Sequence, residues 1–338
     1  MQRIPVSLLT AAVAAHWTAR AVADEQAPLQ STLNSQAAPA ELIAGLTWWM
    51  IAVFGLVFVA VMLLGAIGIL RGLGGRGKSL TARTSRNLVV LCGVVIPLLV
   101  LVGFTVGSLL VGQASSRAYA DAALIVEVIG KRWWWEIRYY DRDQRLLAVS
   151  ANELQLPAGQ PVKLLLRATD VIHSFWAPNL DGKTDMIPGM TNVAWLNIPQ
   201  PGVYRGQCAE YCGTQHSLMA FKVVVQPQGE FQHWLDRQSQ PAAAEAMALS
   251  EGRRVFRERG CADCHSIRGT LARGELGPDL THLASRQTLA AATLPNTRGH
   301  LAGWISDPQS SKPGALMPAT TMQPRELHAL LDYLQALK

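Results

Sequence analysis

The first third of the chain is dominated by two uninterrupted apolar runs. Residues 42–70 and 87–113 contain no Asp, Glu, Lys, Arg or His, and each is longer than the roughly 20 residues that a membrane-spanning helix needs. Two buried helices of a soluble protein are the alternative, but such helices keep a polar face, which neither run has. The pattern therefore predicts two transmembrane helices joined by a polar loop, residues 71–86.

The pattern changes to short alternating runs after residue 118. Segments rich in β-branched and aromatic residues are separated there by Pro, Gly and Asp turns, which is typical of a small antiparallel β-sandwich or barrel. Residues 118–226 are numerous enough to bury a core of their own. They are predicted to form an all-β domain.

The rest of the chain is predicted to be a linker followed by a helical domain. Residues 227–245 end in an Ala- and Pro-containing stretch, which indicates the linker. Residues 246–338 end in a segment whose leucines recur at helical spacing. These are Leu327, Leu330, Leu331, Leu334 and Leu337.

Charge is informative mainly through its position. Only 16% of the 338 residues are charged while 49% are hydrophobic, a balance that excludes an intrinsically disordered chain. Most of the net charge of +6 comes from the loop 71–86, which has five basic residues and no acid. Basic loops stay on the cytoplasmic side of a membrane, so this loop is predicted to be cytoplasmic. The charge thus describes orientation and does not indicate a nucleic-acid partner.

The N-terminus agrees with that orientation. Residues 1–23 have a short basic start, an apolar stretch and an Ala-Val-Ala end, which predicts a signal peptide. Residues 24–41 are then an external segment before the first transmembrane helix.

A set of soft ligands lies near the end of the predicted β-domain. Two cysteines, a histidine and a methionine follow the spacing C-x3-C-x3-H-x2-M, and His173 lies earlier in the same predicted domain. Thiolates, imidazoles and a thioether favour copper over calcium or magnesium, and two thiolates suit two metal ions because each sulfur can bridge both. A disulfide and a zinc site, which would not use the methionine, are the alternatives. The four clustered residues are Cys208, Cys212, His216 and Met219.

With these ligands the chain resembles subunit II of the haem-copper cytochrome c oxidases, from the helical hairpin to about residue 226. That family has a cupredoxin sandwich holding the dinuclear copper A centre. The resemblance implies that Glu210 is a ligand through its backbone carbonyl and that its carboxylate binds a magnesium or manganese ion shared with subunit I. It implies side-chain ligation of two copper ions by His173, Cys208, Cys212, His216 and Met219.

The run Trp133–Trp135 matches the Gly-x-x-Trp-x-Trp stretch of the same family. The match implies that Trp133 is the position at which electrons enter the copper domain. Two positions depart from the family pattern. Met190 stands where an Arg is common, and Val90 stands where many members have a Glu near the mouth of a proton path.

The helical domain begins with the motif C-x-x-C-H, which attaches a c-type haem covalently. Cys261 and Cys264 would form the two thioether bonds, and His265 would bind the iron. A thioredoxin-like dithiol is the alternative, but it would lie beside a βαβ pattern and needs no histidine. The motif therefore predicts one covalent haem c.

The surroundings of the motif resemble a class I cytochrome c, an all-α fold. The resemblance implies that Met317, in a Met-Pro step, is the second axial ligand of the haem iron. Met322, His282 and His300 remain alternatives. The fold class predicted for the whole chain is a multi-domain membrane protein with a transmembrane hairpin, a cupredoxin-like sandwich and a cytochrome c domain.

Together the two resemblances imply subunit II of a terminal cytochrome c oxidase with a fused cytochrome. Such a subunit takes electrons from a soluble cytochrome c or a bc1 complex and passes them through haem c and copper A to subunit I. Subunit I reduces oxygen to water and pumps protons, and subunit III is a further membrane partner.

This reading implies a multi-pass protein of the bacterial inner membrane with both redox domains in the periplasm. A membrane-anchored electron carrier that serves another terminal reductase is the alternative function. A copper-delivery protein is a third possibility, but it would have no need of covalent haem.

Overall fold

The computed structural model describes residues 30–74, 81–115, 122–242 and 249–338. These ranges contain a helical hairpin, a two-sheet β-domain and a mostly helical domain, in that order. The predicted signal peptide, residues 1–23, lies outside the described residues.

The hairpin consists of two long helices, α1 (Ala38–Leu73) and α2 (Ala82–Ser115). Each helix contains an 18-residue segment with a mean hydropathy of 2.8, and the other described residues bury none of it. The rings of Phe54 and Phe104 stack 5.5 Å apart and connect the two helices. Helix α1 begins at Ala38, four residues before the apolar run. Pro39 fits its first turn, because backbone N–H groups there have no acceptor within the helix and the missing N–H of proline costs nothing. The protein is therefore membrane-anchored.

The β-domain is a sandwich of two five-stranded sheets, with strand orders β3-β2-β1-β5-β8 and β4-β10-β9-β6-β7. Inward-facing side chains of both sheets form one buried core. The strands are β1 (Leu124–Lys131), β2 (Trp134–Tyr140), β3 (Leu146–Ala151), β4 (Glu153–Pro157), β5 (Val162–Ala168), β6 (His173–Trp176), β7 (Thr184–Met186), β8 (Asn192–Leu196), β9 (Gly202–Cys208) and β10 (Ala220–Gln226).

The sandwich is not wholly antiparallel, so that expectation was wrong for two strand pairs. Strand β1 runs parallel to β5, and β4 runs parallel to β10. Alternation of apolar and polar residues shows which face of a strand is buried, but it does not show the direction of the neighbouring strand. The all-β cupredoxin-like architecture itself is confirmed.

Most of the segment predicted as a linker is part of the β-domain. Helix α3 (Gln228–Ser239) occupies it, and Phe231 and Leu235 are buried in the sandwich core. The Trp234 ring packs edge-on against Tyr139 at 5.0 Å. The Ala/Pro stretch that indicated a linker begins only at the end of this helix, so the linker prediction fails for residues 228–239.

The C-terminal domain is built on two crossing helices, α4 (Ser250–Glu258) and α8 (Pro324–Gln335). They meet at Gly252, where a Cβ atom would lie 2.2 Å from the carbonyl oxygen of Ala329. The predicted leucine stripe faces this contact, and four of its five members are buried. The other helices are α5 (Cys261–Cys264), α6 (Arg298–Ser306) and α7 (Pro308–Ser311).

A short β-hairpin in this domain was not predicted. Its strands are β11 (Thr288–Leu289) and β12 (Leu294–Pro295), and the three alanines 290–292 between them all have positive φ angles, from 52° to 57°. We call residues 287–295 the alanine hairpin. Its tip packs on the β-domain, where Ala291 is buried with Trp134 and Ala151.

Candidate metal and haem sites

Neighbouring strands bring the predicted copper ligands together at one edge of the sandwich. His173 begins β6 and Cys208 ends β9, and these strands are paired in the second sheet. The loop that follows β9 carries Cys212 and His216 and returns at Met219 to begin β10. A rigid sheet edge thus positions one ligand, and a single loop supplies the others.

The two cysteine sulfurs lie at the centre of this cluster, 3.7 Å apart. That separation is far beyond the roughly 2.05 Å of a disulfide bond, so both thiols are free to act as ligands. Cys208 Sγ lies 3.8 Å from His173 Nδ1, and Cys212 Sγ lies 3.7 Å from His216 Nδ1 and 3.8 Å from Met219 Sδ. Each sulfur thus has its own histidine, an arrangement that fits two metal ions bridged by sulfur.

The two thiols share a hydrogen bond. This contact between the sulfurs lowers the pKa of Cys208 and raises that of Cys212. Cys208 Sγ also lies 3.2 Å from the backbone carbonyl oxygen of Glu210. This contact places the Glu210 carbonyl beside the cysteine sulfurs, while its side chain is half-exposed.

Asp170 contacts the His173 ring and was not assigned a role from the sequence. Its Oδ1 lies 2.9 Å from His173 Nε2, and its Oδ2 accepts a hydrogen bond of 2.7 Å from the backbone N–H of Arg132. Burial opposes ionisation of Asp170, but these hydrogen bonds lower its pKa to about 2. A carboxylate that holds one imidazole nitrogen leaves the other free to bind metal. An acid three residues before His173 is the sequence signal that indicates this role.

A cavity of about 520 Å³ separates the copper cluster from the start of helix α1. Cys208 and His216 line it on one side, and Ala40 and Ile43 of α1 line it on the other. Asp181 also lines this cavity, and burial raises its pKa to about 6. The predicted copper ligands therefore lie at the end of the β-domain that faces the start of helix α1.

The predicted haem ligands line a second cavity, of about 380 Å³. The thiols of Cys261 and Cys264, the His265 ring and Met317 all face it. His265 Nδ1 donates to the carbonyl oxygen of Pro278 at 2.8 Å, so Nε2 is free, and burial lowers the pKa of the ring and favours its neutral form. These residues fit a haem attached through two cysteines.

The alternative axial ligands do not line this cavity. Among the described residues, His282 Nε2 is hydrogen-bonded to the Gln240 carbonyl oxygen, and His300 Nδ1 to the Thr297 hydroxyl. Met322 packs in the domain core outside the cavity lining. The geometry therefore favours Met317.

The second cavity is also lined by the β-domain. Trp133 and Trp134 form part of its wall, and the Trp133 indole N–H donates to the carbonyl oxygen of Cys212 at 2.8 Å. One side chain therefore reaches both the haem cavity and the backbone of a predicted copper ligand. Trp135 is instead buried in the sandwich core, with its ring 6.3 Å from that of His173.

Comparison with known proteins matches both domains. Residues 141–227 match the family described as "Cytochrome C oxidase subunit II, periplasmic domain", and residues 249–338 match cytochrome c. Cytochrome c oxidase subunit 2 of Alkalihalophilus pseudofirmus is 37% identical over 220 residues, which are 64% of this chain and 62% of that protein. The probable subunit 2 of Rickettsia bellii is 31% identical over 186 residues, which are 50% of this chain and 69% of that protein. The chain belongs to the cytochrome c oxidase subunit II family.

A solved structure of a subunit II periplasmic domain is also similar to part of this chain. The periplasmic domain of cytochrome oxidase subunit II from Bradyrhizobium japonicum is 27% identical, with a TM-score of 0.33, and covers 36% of this chain and 96% of that one. The chain spans less than two thirds of the length of the Alkalihalophilus relative. Its family domains imply copper A in the sandwich and haem in the cytochrome domain.

Proposed function

We propose that this subunit II relays electrons from an external donor to subunit I of a terminal cytochrome c oxidase. The observation that supports this proposal best is the position of Trp133. Its ring lines the haem cavity while its indole N–H is hydrogen-bonded to the backbone of Cys212. In this proposal Trp133 is the group through which electrons enter the copper domain.

Six residues hold the copper A centre in this proposal. Cys208 and Cys212 would hold the copper ions through their sulfurs, and Asp170 would keep the His173 ring in place with Nδ1 towards Cys208. His173, Cys208, Cys212 and Met219 are buried. The other four ligands are His173, His216, Met219 as a weak ligand, and Glu210 through its carbonyl.

The cytochrome domain holds one covalent haem c through Cys261 and Cys264. His265 and Met317 would hold the haem iron, and a His/Met pair would raise its reduction potential relative to two histidines. The Pro278 carbonyl orients the His265 ring. When bound, haem c and copper A each supply one-electron redox chemistry, while this chain makes and breaks no substrate bonds.

The partners in this proposal follow from the family. Subunit I reduces oxygen to water with proton pumping and shares a magnesium or manganese ion with the Glu210 carboxylate, and subunit III completes the membrane complex. A soluble cytochrome c or a bc1 complex is the electron donor. The hairpin lies in a bacterial inner membrane, with the loop 71–86 in the cytoplasm and both redox domains in the periplasm.

Optical and copper EPR spectra of the purified membrane complex test this function. We expect a mixed-valence dinuclear copper signal, a c-type haem band and haem bands from subunit I. The Cys208→Ser variant should lose the dinuclear signal and keep haem c, whereas the control Cys92→Ser, on the exposed surface of helix α2, should keep both. Absence of the copper signal from an intact complex would contradict the proposal.

A further inference from the structure

The alanine hairpin directs its contacts to the β-domain. The carbonyl oxygen of Ala291 accepts a hydrogen bond of 3.3 Å from Ala220 N, and Thr293 Oγ1 donates to the Leu218 carbonyl at 3.4 Å. Three successive alanines with positive φ angles are unfavourable, because the Cβ atom of an L residue is crowded against the backbone in that region. Such a tip persists where surrounding contacts hold it, and here several of those contacts lie in the other domain.

Glu153 provides the most specific of these contacts. It begins the edge strand β4 and is 2% exposed. Its Oε1 accepts three hydrogen bonds from the alanine hairpin, from Gln287 N at 2.8 Å, Thr288 N at 2.8 Å and Thr288 Oγ1 at 2.9 Å. A carboxylate buried without partners is costly, and every one of these partners belongs to the cytochrome domain.

A neighbouring lysine strengthens the same contact. Lys222 of β10 is the register partner of Glu153, and its Nζ donates to the Gln287 side-chain oxygen at 2.9 Å. Glu153 thus binds the backbone N–H of Gln287, and Lys222 on the adjacent strand binds its side chain.

Lys312 connects this contact to the redox path. It is 3% exposed, and its Nζ donates to the carbonyl oxygens of Trp133 at 3.3 Å and of Ala290 at 3.4 Å. The next residue, Pro313, accepts a hydrogen bond from the side chain of Gln215 in the copper-ligand loop. The hairpin, Trp133 and the chain leading to Met317 therefore meet at one buried ammonium group.

We propose that Glu153 is a positioning residue that anchors the alanine hairpin, and that this anchor holds the cytochrome domain with its haem cavity open towards Trp133 and Trp134. The inference rests on the proposed electron relay, because it states what sets the internal transfer rate. It assigns Glu153 no contact with haem or copper.

The test uses the full chain loaded with haem and copper. In Glu153→Ala, three hairpin donors lose their acceptor, and unpaired buried donors cost enough to weaken docking by about tenfold or more. Hydrogen exchange at the Gln287 and Thr288 amides should accelerate by a similar factor. Haem-to-copper electron transfer after flash reduction should slow in parallel, with unchanged haem and copper spectra.

Two companion variants separate docking from a general loss of an acid. Glu153→Gln keeps one acceptor oxygen and should restore much of the protection and rate. Asp143→Ala removes an exposed acid of the same domain, paired with Arg145, and should leave both measurements unchanged.

A variant on the other side of the contact covers the case in which Glu153→Ala does not fold. Ala291→Glu places a charged side chain against Trp134 and Ala151, outside the main core of the cytochrome domain, and should reproduce the loss of amide protection and transfer. The inference would be overturned if the Gln287 and Thr288 amides stayed protected from exchange in folded Glu153→Ala or Ala291→Glu. It would also be overturned if these amides lost protection while the haem-to-copper transfer rate did not change. Absence of transfer in the unaltered chain would instead contradict the proposed function, and amide exchange would still decide whether Glu153 anchors the hairpin.

Discussion

His173 illustrates how a single buried ligand depends on a residue that binds no metal. Its ring is fully buried, with Nδ1 facing Cys208 and Nε2 held by Asp170. The carboxylate is itself held by the backbone N–H groups of Arg132 and Val171. Copper affinity should therefore respond to a side chain outside the ligand set.

We expect Asp170→Asn to lower copper affinity by about 10- to 100-fold, the usual effect of removing a carboxylate that orients a ligand histidine. Competition with a copper chelator measures the change, and haem content serves as an internal reference. Asp143→Asn, an exposed acid in the same domain, is the matched control. Equal copper retention in the two variants would show that Asp170 does not orient His173.

The sequence alone indicated candidate ligands, but it did not indicate the residue that orients one of them by a hydrogen bond. Cysteine, histidine and methionine at fixed spacing have few other uses, so the copper and haem ligands could be predicted from it. The structure brings the five side chains of the copper prediction together around the two cysteine sulfurs, and it places the four predicted haem ligands around one cavity. Asp170 could not be singled out in the same way, because an acid in a turn most often serves only the turn.

At the scale of elements, the crossing of α4 and α8 is set by the absence of a side chain. Gly252 lets the two helix backbones approach, with the Ala329 carbonyl and Tyr333 in the space that a Cβ would take. The surrounding core holds Val255, Phe256 and Leu330. The domain is therefore sensitive to one added methyl group.

Gly252→Ala should destabilise the cytochrome domain by about 1–3 kcal/mol, because the helices must separate to admit the methyl group. Gly303→Ala is the control within the same domain, since that helical glycine has nothing within 4 Å of its Cβ position, and it should stabilise by about 0.5–1 kcal/mol. Guanidinium unfolding followed by haem absorbance measures both. A stability of Gly252→Ala equal to or above that of Gly303→Ala would refute this account of the crossing.

The elements that sequence reasoning identified are those with a strong periodic or apolar signal. The membrane helices, the β-runs and the closing helix belong to this class. Helix α3 was obscured by the Ala/Pro stretch that follows it, and strand direction has no local signal. The alanine hairpin was missed because its two strands are too short for alternation to show.

At the scale of the whole molecule, the contacts between the β-domain and the cytochrome domain could not be predicted from the sequence. The notable contacts are made by backbone groups, such as the Gln287 and Thr288 N–H groups on Glu153 and the Trp133 carbonyl on Lys312. Backbone donors and acceptors are the same in every residue except proline, so no residue pattern marks them. Charge alone, in contrast, gives a prediction of the membrane orientation.

Reporter fusions test that orientation. Alkaline phosphatase, which is active only outside the cytoplasm, should be active when fused after Lys338 and inactive when inserted after Lys78 in the basic loop. The reason is that lysines and arginines near membrane helices are retained in the cytoplasm. The opposite pattern of activity would place the redox domains in the cytoplasm.

The cytochrome domain is docked on the β-domain through the alanine hairpin, and this docking bears on how electron transfer between them responds to salt. Binding of a freely diffusing redox partner is guided by surface charges, and it weakens as salt screens them. A donor that is already seated on buried hydrogen bonds, on the same polypeptide, needs no such encounter. We expect the final delivery of electrons to copper to proceed at the same rate in dilute or concentrated salt, however scarce mobile cytochromes become.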